Sequence, residues 1–255
     1  MRATVSRMIT GHTPIPLAVT RWGEGAHRAL LLHGIVSSGM GWWRVAAALS
    51  ELGYEVWAPD LRGHGASAAA RDMSIPAMAA DVLALGDSWD VVLGHSLGAT
   101  VALPILLERP GWTGRVILED PALIFDEPDP VISWLLEPFT KPASREQVAA
   151  DGAGWSAFDV DVKVDALREA NPLTIRRTIE QAAPFDIRRA LEELTMPTLL
   201  LGADPELGTL VTPEIGRAAA AVNPNIEFVT IAGGSHSMHR QAFTSFWAEI
   251  ARFLA

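Results

Sequence analysis

The stretch Val91-Val92-Leu93-Gly94-His95-Ser96-Leu97-Gly98 organises the chain around it. Three apolar residues read as a buried strand, and the apolar run from Leu97 to Glu108 reads as a helix, so the serine lies on the turn between them. The pattern G-x-S-x-G at such a turn serves a nucleophile. The serine projects from a strained strand-to-helix corner, and small residues two before and two after it let neighbouring backbone come close. The helix N-terminus then presents N–H groups and positive dipole to negative charge developing on a carbonyl oxygen.

Working outward, short apolar runs alternate with amphipathic stretches. Ala29 to Leu32, Tyr54 to Ala58, Val116 to Leu118, Thr198 to Leu201 and Ile226 to Ile231 read as strands. Trp42 to Leu52, Met73 to Leu85, Pro213 to Val222 and Met238 to Leu254 read as helices. Apolar strands alternating with helices predict an α/β fold with a mostly parallel sheet covered on both faces. Ala3 to Ile9 and Ile15 to Trp22 predict an antiparallel hairpin at its edge. Pro104 should kink its helix. After Pro121 the rhythm stops until about Thr195. That segment holds Phe125, Trp134, Phe139, Trp155, Phe158 and Phe185, and predicts helices at Val164 to Ala170 and Thr174 to Ala182. Asp126 to Asp129 reads as a solvated loop. The domains are therefore a core of residues 1–120 and 196–255 and a helical cap of residues 121–195.

Composition narrows the chemistry. The 255 residues include no Cys, which excludes disulfides, thiolate metal sites and a Cys nucleophile and fits a cytoplasmic protein. A formal charge of −10 argues against nucleic acid as a partner. No apolar run approaches the roughly 18 residues of a membrane span. The seven histidines show no H-x-x-x-H spacing, so neither metal nor cofactor is expected.

A serine hydroxyl needs a base, and a base needs a carboxylate to fix its tautomer. His236, in Gly233-Gly234-Ser235-His236-Ser237 after the last strand, is the expected base; His239 should face outward from the last helix. Asp204, after the strand ending at Leu201, is the expected acid. Asp120 after Leu118 is the alternative, followed by Glu119 and Glu206. His33-Gly34-Ile35 ends an earlier strand, and the N–H groups of Ile35 and Leu97 form the expected oxyanion hole. His33 reads as a structural hydrogen bonder, and Pro59-Asp60-Leu61-Arg62-Gly63-His64-Gly65 as a turn held by Arg and Asp.

With these motifs together, the chain resembles the α/β-hydrolase fold superfamily over essentially its whole length outside the insertion. The resemblance implies an eight-stranded sheet whose second strand is antiparallel, a cap after the sixth strand, Ser96 as nucleophile and His236 as base. The acid loop departs from the pattern: many relatives carry Gly-x-x-Asp after the seventh strand, whereas Gly202-Ala203-Asp204 is one residue shorter. Lactonases resembling zearalenone hydrolase place the acid after the sixth strand directly before Pro, as Asp120 stands here. The serine at the elbow excludes the Asp nucleophile of haloalkane dehalogenases and epoxide hydrolases.

The aromatic insertion and Trp42-Trp43 suggest a hydrophobic pocket, with Trp42, Trp43, Trp134, Trp155 and His95 as substrate-binding residues. No Arg or Lys in the sheet loops reads as a carboxylate clamp; in the cap, Arg145, Arg176 or Arg177 could serve as one. The expected activity is hydrolysis of a small to medium hydrophobic carboxylic ester or lactone through an acyl-enzyme. C–C bond hydrolysis, amide hydrolysis and acyl transfer use the same groups, and a triad-bearing ligand receptor is the non-enzymatic alternative.

Overall fold

The computed structural model describes residues 9–125, 127–140, 144–182 and 185–255. Its strands are β1 (Val19–Trp22), β2 (His27–Leu32), β3 (Tyr54–Pro59), β4 (Trp89–His95), β5 (Thr113–Glu119), β6 (Ile124–Phe125), β7 (Phe185–Asp186), β8 (Thr198–Ala203) and β9 (Ile226–Ile231). Among the described residues, seven strands form the main sheet, in the order β1-β3-β2-β4-β5-β8-β9. Within this sheet, among the described residues, only the β1–β3 pair is antiparallel. The expected strand at residues 3–9 falls, apart from Ile9, outside the described residues, so the eighth strand is not among those seen.

Side-chain alternation divides the strands between two cores. Leu30 and Leu32, Val92, Val116 and Leu118, and Leu200 face one cluster. Ala29 and Leu31, Val91 and Leu93, Ile117, and Leu199 and Leu201 face the other. On the first face lie α2 (Ile75–Leu83), α3 (Leu97–Glu108) and α8 (Pro213–Val222). On the second lie α1 (Trp43–Glu51) and α10 (Phe243–Leu254), through Val45, Ala46 and Leu49 and through Phe246 and Ile250. Helix starts are encoded locally. Ser74 caps α2 by accepting from Ala77 N–H, with Pro in the first turn, and Thr212 caps α8 from Ile215 N–H. α3 continues through Pro104, which removes one of its backbone donors.

Between β5 and β8 the chain forms α4 (Pro128–Leu136), α5 (Arg145–Asp151), α6 (Ala157–Glu169) and α7 (Pro172–Ala182). The sequence reading anticipated only the last two, as shorter helices. Pro128 opens α4 rather than a loop, a position where its missing N–H costs no helical hydrogen bond. β6 and β7 pair antiparallel at the two ends of this insertion, with Phe125 stacked on Phe185 at 5.7 Å. Its own apolar cluster, from Ile132 to Ile179, includes Val36 of the sheet loops. The last helix is broken. Ala242, at φ −117° and ψ 41°, separates α9 (Met238–Gln241) from α10. Among the described residues no helix is long and apolar enough to cross a membrane.

In the turn after β3, Asp60 accepts from Gly39 N–H at 2.7 Å and Ala66 N–H at 2.9 Å, while Arg62 reaches outside the turn. Arg62 donates to both carboxylate oxygens of Asp81 at 2.6 Å and to the carbonyl of Asp72 at 2.6 Å. Asp81 also accepts from Ile15 N–H at 2.7 Å, so one ion pair joins this turn, α2 and the N-terminal segment. Both side chains are about 2 % exposed or less. Replacing Asp81 by Ala leaves a buried, uncompensated guanidinium, and a loss of about 3–5 kcal/mol is expected in urea denaturation. The double variant Arg62→Met/Asp81→Leu should lose clearly less, because no charge is stranded. Equal losses would show that the pair is solvated in solution.

Candidate active site

Ser96 lies between β4 and α3 at φ 49° and ψ −114°, a conformation costly for a residue with a side chain. The flanking glycines explain how the corner closes. A Cβ on Gly94 would meet the backbone of Ala99 at 2.6 Å, and one on Gly98 would collide with the carbonyl of Leu32 at the end of β2. Ser96 N–H donates to Glu119 O at 2.9 Å, tying the corner to β5. The side chain is 7 % exposed.

The loop after β2 is pressed against this corner. A Cβ on Gly34 would sit 2.6 Å from His95 Nδ1 and 3.3 Å from Ser96 Cβ, so Ile35 begins the loop that borders the serine. Leu97 occupies the first position of α3, where its N–H has no acceptor within the helix. His33 is structural, as read from sequence: its Nδ1–H donates to Gly34 O at 2.7 Å and its Nε2 accepts from Leu61 N–H at 2.9 Å. Burial, then the nearby His64, pulls its pKa down to about 3. Val36, in the same loop, has a positive φ of 53°, and its carbonyl accepts from Lys163 Nζ at 2.7 Å. Burial, then Arg240, lowers Lys163 to about 7.

His236 Nδ1 donates to Asp120 Oδ2 at 2.6 Å. The expected pairing with Asp204 is therefore corrected. Asp204 instead accepts from Glu206 N–H at 3.0 Å and Gly233 N–H at 2.8 Å, shaping the turn after β8. The bond from Gly233, then that from Glu206, holds its carboxyl below the usual range. Asp120 is fully buried and, like Ser96, adopts positive φ, 42°. Its oxygens also accept from Thr209 Oγ1 at 2.7 Å, Leu210 N–H at 3.0 Å and Val211 N–H at 2.8 Å. Burial alone would raise its pKa. The bonds from His236, Val211 and Leu210 outweigh that and hold it below the ordinary value, so it is ionised at neutral pH. The other two acid candidates are engaged elsewhere. Glu119 accepts from both N–H and Nδ1 of His239 at 2.9 Å, and Glu206 is on the surface.

His239 does not face outward. It is 4 % exposed, with Trp42 4.5 Å from its ring, because α9 is a single turn packed onto the sheet rather than the start of a surface helix. His95 is equally buried. Its Nε2–H donates to the carbonyl of His236 at 2.8 Å, so it anchors the loop of His236 rather than facing a ligand. Burial, then His236 and His239, keeps its pKa well below the ordinary value. His95, Glu119 and His239 bring potential metal ligands within 4.8 Å of one another. The hydrogen bonds of His95 to His236 and of His239 to Glu119 already use these groups.

The four tryptophans read as pocket residues separate. Trp42 is 1 % exposed, in the core beneath the site, and Trp134 is 70 % exposed on α4. Trp43 Nε1 donates to Asp159 at 2.9 Å, linking α1 to α6. Trp155 lies 4.7 Å from the guanidinium of Arg240.

A strained serine, a histidine bonded to a buried aspartate and a glycine loop closing on the serine lie at the ends of parallel strands. Residues 29–250 match the model of the alpha/beta hydrolase family. The chain belongs to that family. It is 37 % identical over 157 residues to Lipase LipV of Mycobacterium tuberculosis, across 58 % of this chain and 59 % of that one, so the match spans less than two thirds of the lipase. It is 26 % identical over 250 residues to N-formylmaleamate deformylase of Pseudomonas putida, across 92 % and 91 % of the two chains. In fold it is similar to the enol-lactonase from Burkholderia xenovorans, with a TM-score of 0.78, 20 % identity, and 93 % and 96 % of the chains covered.

The buried histidines set a pH dependence. His33 is neutral in the fold down to about pH 3, whereas an unfolded histidine titrates near 6.5. The unfolded state therefore binds the extra proton first, and stability falls as pH drops from about 6.5 toward 3. The slope from this one group approaches about 1.4 kcal/mol per pH unit. Urea midpoints between pH 7 and pH 5, above most carboxylate titration, should fall for the parent and fall less steeply for His33→Gln. Parallel slopes would contradict a buried neutral His33.

Proposed function

We propose that this protein is a serine hydrolase that cleaves a small to medium carboxylic ester or lactone through an acyl-enzyme. The observation that carries the reading is the 2.6 Å bond from His236 Nδ1 to the buried carboxylate of Asp120, beside the strained Ser96 corner. That bond leaves Nε2 as the basic nitrogen. Ser96 Oγ attacks the carbonyl carbon and its proton passes to His236 Nε2. The N–H groups of Ile35 and Leu97 hold the oxyanion. Collapse breaks the carbonyl–oxygen bond, and His236 gives its proton to the departing alkoxide. Water, deprotonated by His236, then attacks the acyl-serine and releases the acid. Asp120 stays ionised and stabilises the imidazolium in both halves. Residues 121–195 act as the cap, in keeping with the contacts of α6 with Val36 and Trp43.

The name of the deformylase relative favours a second reading, cleavage of an N-formyl amide by the same groups. Parallel assays with p-nitrophenyl esters and N-formyl amides separate the two.

Ser96→Ala should abolish turnover and labelling by a fluorophosphonate. A parent rate in that variant would overturn the proposal. Asp120→Asn should lower kcat by about 10³–10⁴-fold, because the wrong tautomer of His236 is then favoured. Asp204→Asn should stay within about twofold of the parent. The reverse order for the two aspartates would reassign the acid.

A further inference from the structure

Two basic side chains converge on the loop Ile35-Val36-Ser37. Lys163 reaches it from α6, with Nζ bonded to Val36 O at 2.7 Å. Arg240 reaches it from α9, with Nη2 donating to Ser37 Oγ at 3.1 Å and its guanidinium 4.7 Å from the Trp155 ring. Arg240 is 4 % exposed, and its buried Nε has no hydrogen-bond partner among the described residues. Lys163 is half-buried and spends one of its three N–H donors on Val36.

The acids nearby make no ion pair within 4.0 Å with either group among the described residues. Asp159 and Glu119 lie close enough to favour the charge on Arg240. Asp159 is committed to Trp43 Nε1 at 2.9 Å and Ser156 Oγ at 2.7 Å, and Glu119 to His239. The charge felt by Lys163 is the like charge of Arg240. Burying cations without a counter-ion is expensive unless an anion joins them. The arginines read from sequence as clamps are otherwise placed. Arg145 is paired with Asp161, Arg176 lies by Glu180, and Arg177 is exposed.

We propose that Lys163 and Arg240 form a carboxylate subsite beside the oxyanion loop, so that the preferred substrates carry a free carboxylate near the carbonyl that Ser96 attacks. Nζ and Nε–H supply the unused donors, and the anion offsets the like charge of Arg240 that disfavours protonated Lys163. The proposal rests on the hydrolase reading and narrows its substrate to half-esters, or lactones and amides bearing an acid group.

The test compares the monoethyl and diethyl esters of glutarate, together with glutarate binding by calorimetry. The parent should prefer the half-ester in kcat/KM by tenfold or more. In Lys163→Met the half-ester to diester ratio should fall at least tenfold, chiefly through KM, and Lys163→Arg should recover part of it. Glutarate should bind the parent and lose at least tenfold in affinity in Lys163→Met, with folding checked by circular dichroism. A parent that labels with fluorophosphonate but prefers the diester, or a ratio unmoved in Lys163→Met, overturns the subsite and leaves the hydrolase intact. Failure of Ser96 to label and of either ester to turn over overturns the hydrolase reading. Glutarate binding then still decides the subsite: loss in Lys163→Met supports it, and no binding to the parent overturns it.

Discussion

Everything at the site depends on the register of three neighbouring parallel strands. The register pairs His95 with Glu119 and Glu119 with Leu201. The residue after each of the first two strands then bonds back to the next: Ser96 N–H to Glu119 O, and Asp120 N–H to Leu201 O. Those bonds hold two non-glycine residues in left-handed backbone conformations that neither would choose alone. A slip of one residue in either pairing would turn the serine or the aspartate to the opposite face, because side chains alternate along a strand.

Most of the fold was legible because its signals are local. The serine corner needs a glycine two residues before and two after, and both are present at the positions where packing leaves no room for a side chain. α3, α8 and β9 fall where periodicity and caps put them. The helices at Pro128 and Arg145 were missed because proline and charge at their starts resemble loop composition.

The partner of His236 shows where sequence runs out. Asp120 and Asp204 both follow apolar strands and both precede proline. Chain order favours Asp204. What selects Asp120 is its set of donors, Thr209, Leu210 and Val211, which lie some ninety residues further along the chain. Nothing in the local sequence announces that set. The same holds for Lys163, whose neighbours on α6 are ordinary helical residues, while its partner Val36 comes from the first third of the chain. His95 was visible as a motif position, but its bond to the carbonyl of His236 emerges only from the tertiary fold.

The short pairing of β6 with β7 brings the two ends of the inserted segment together. Closing a loop at its base separates its length from the geometry beneath, since further lengthening adds only a slowly growing entropic penalty. The sheet therefore experiences the insertion as a short excursion between adjacent strands. Outside the α6 residues that bond to Val36 and Trp43, the stretch between Phe125 and Phe185 can change in length and sequence over generations while the serine corner and its aspartate keep their positions.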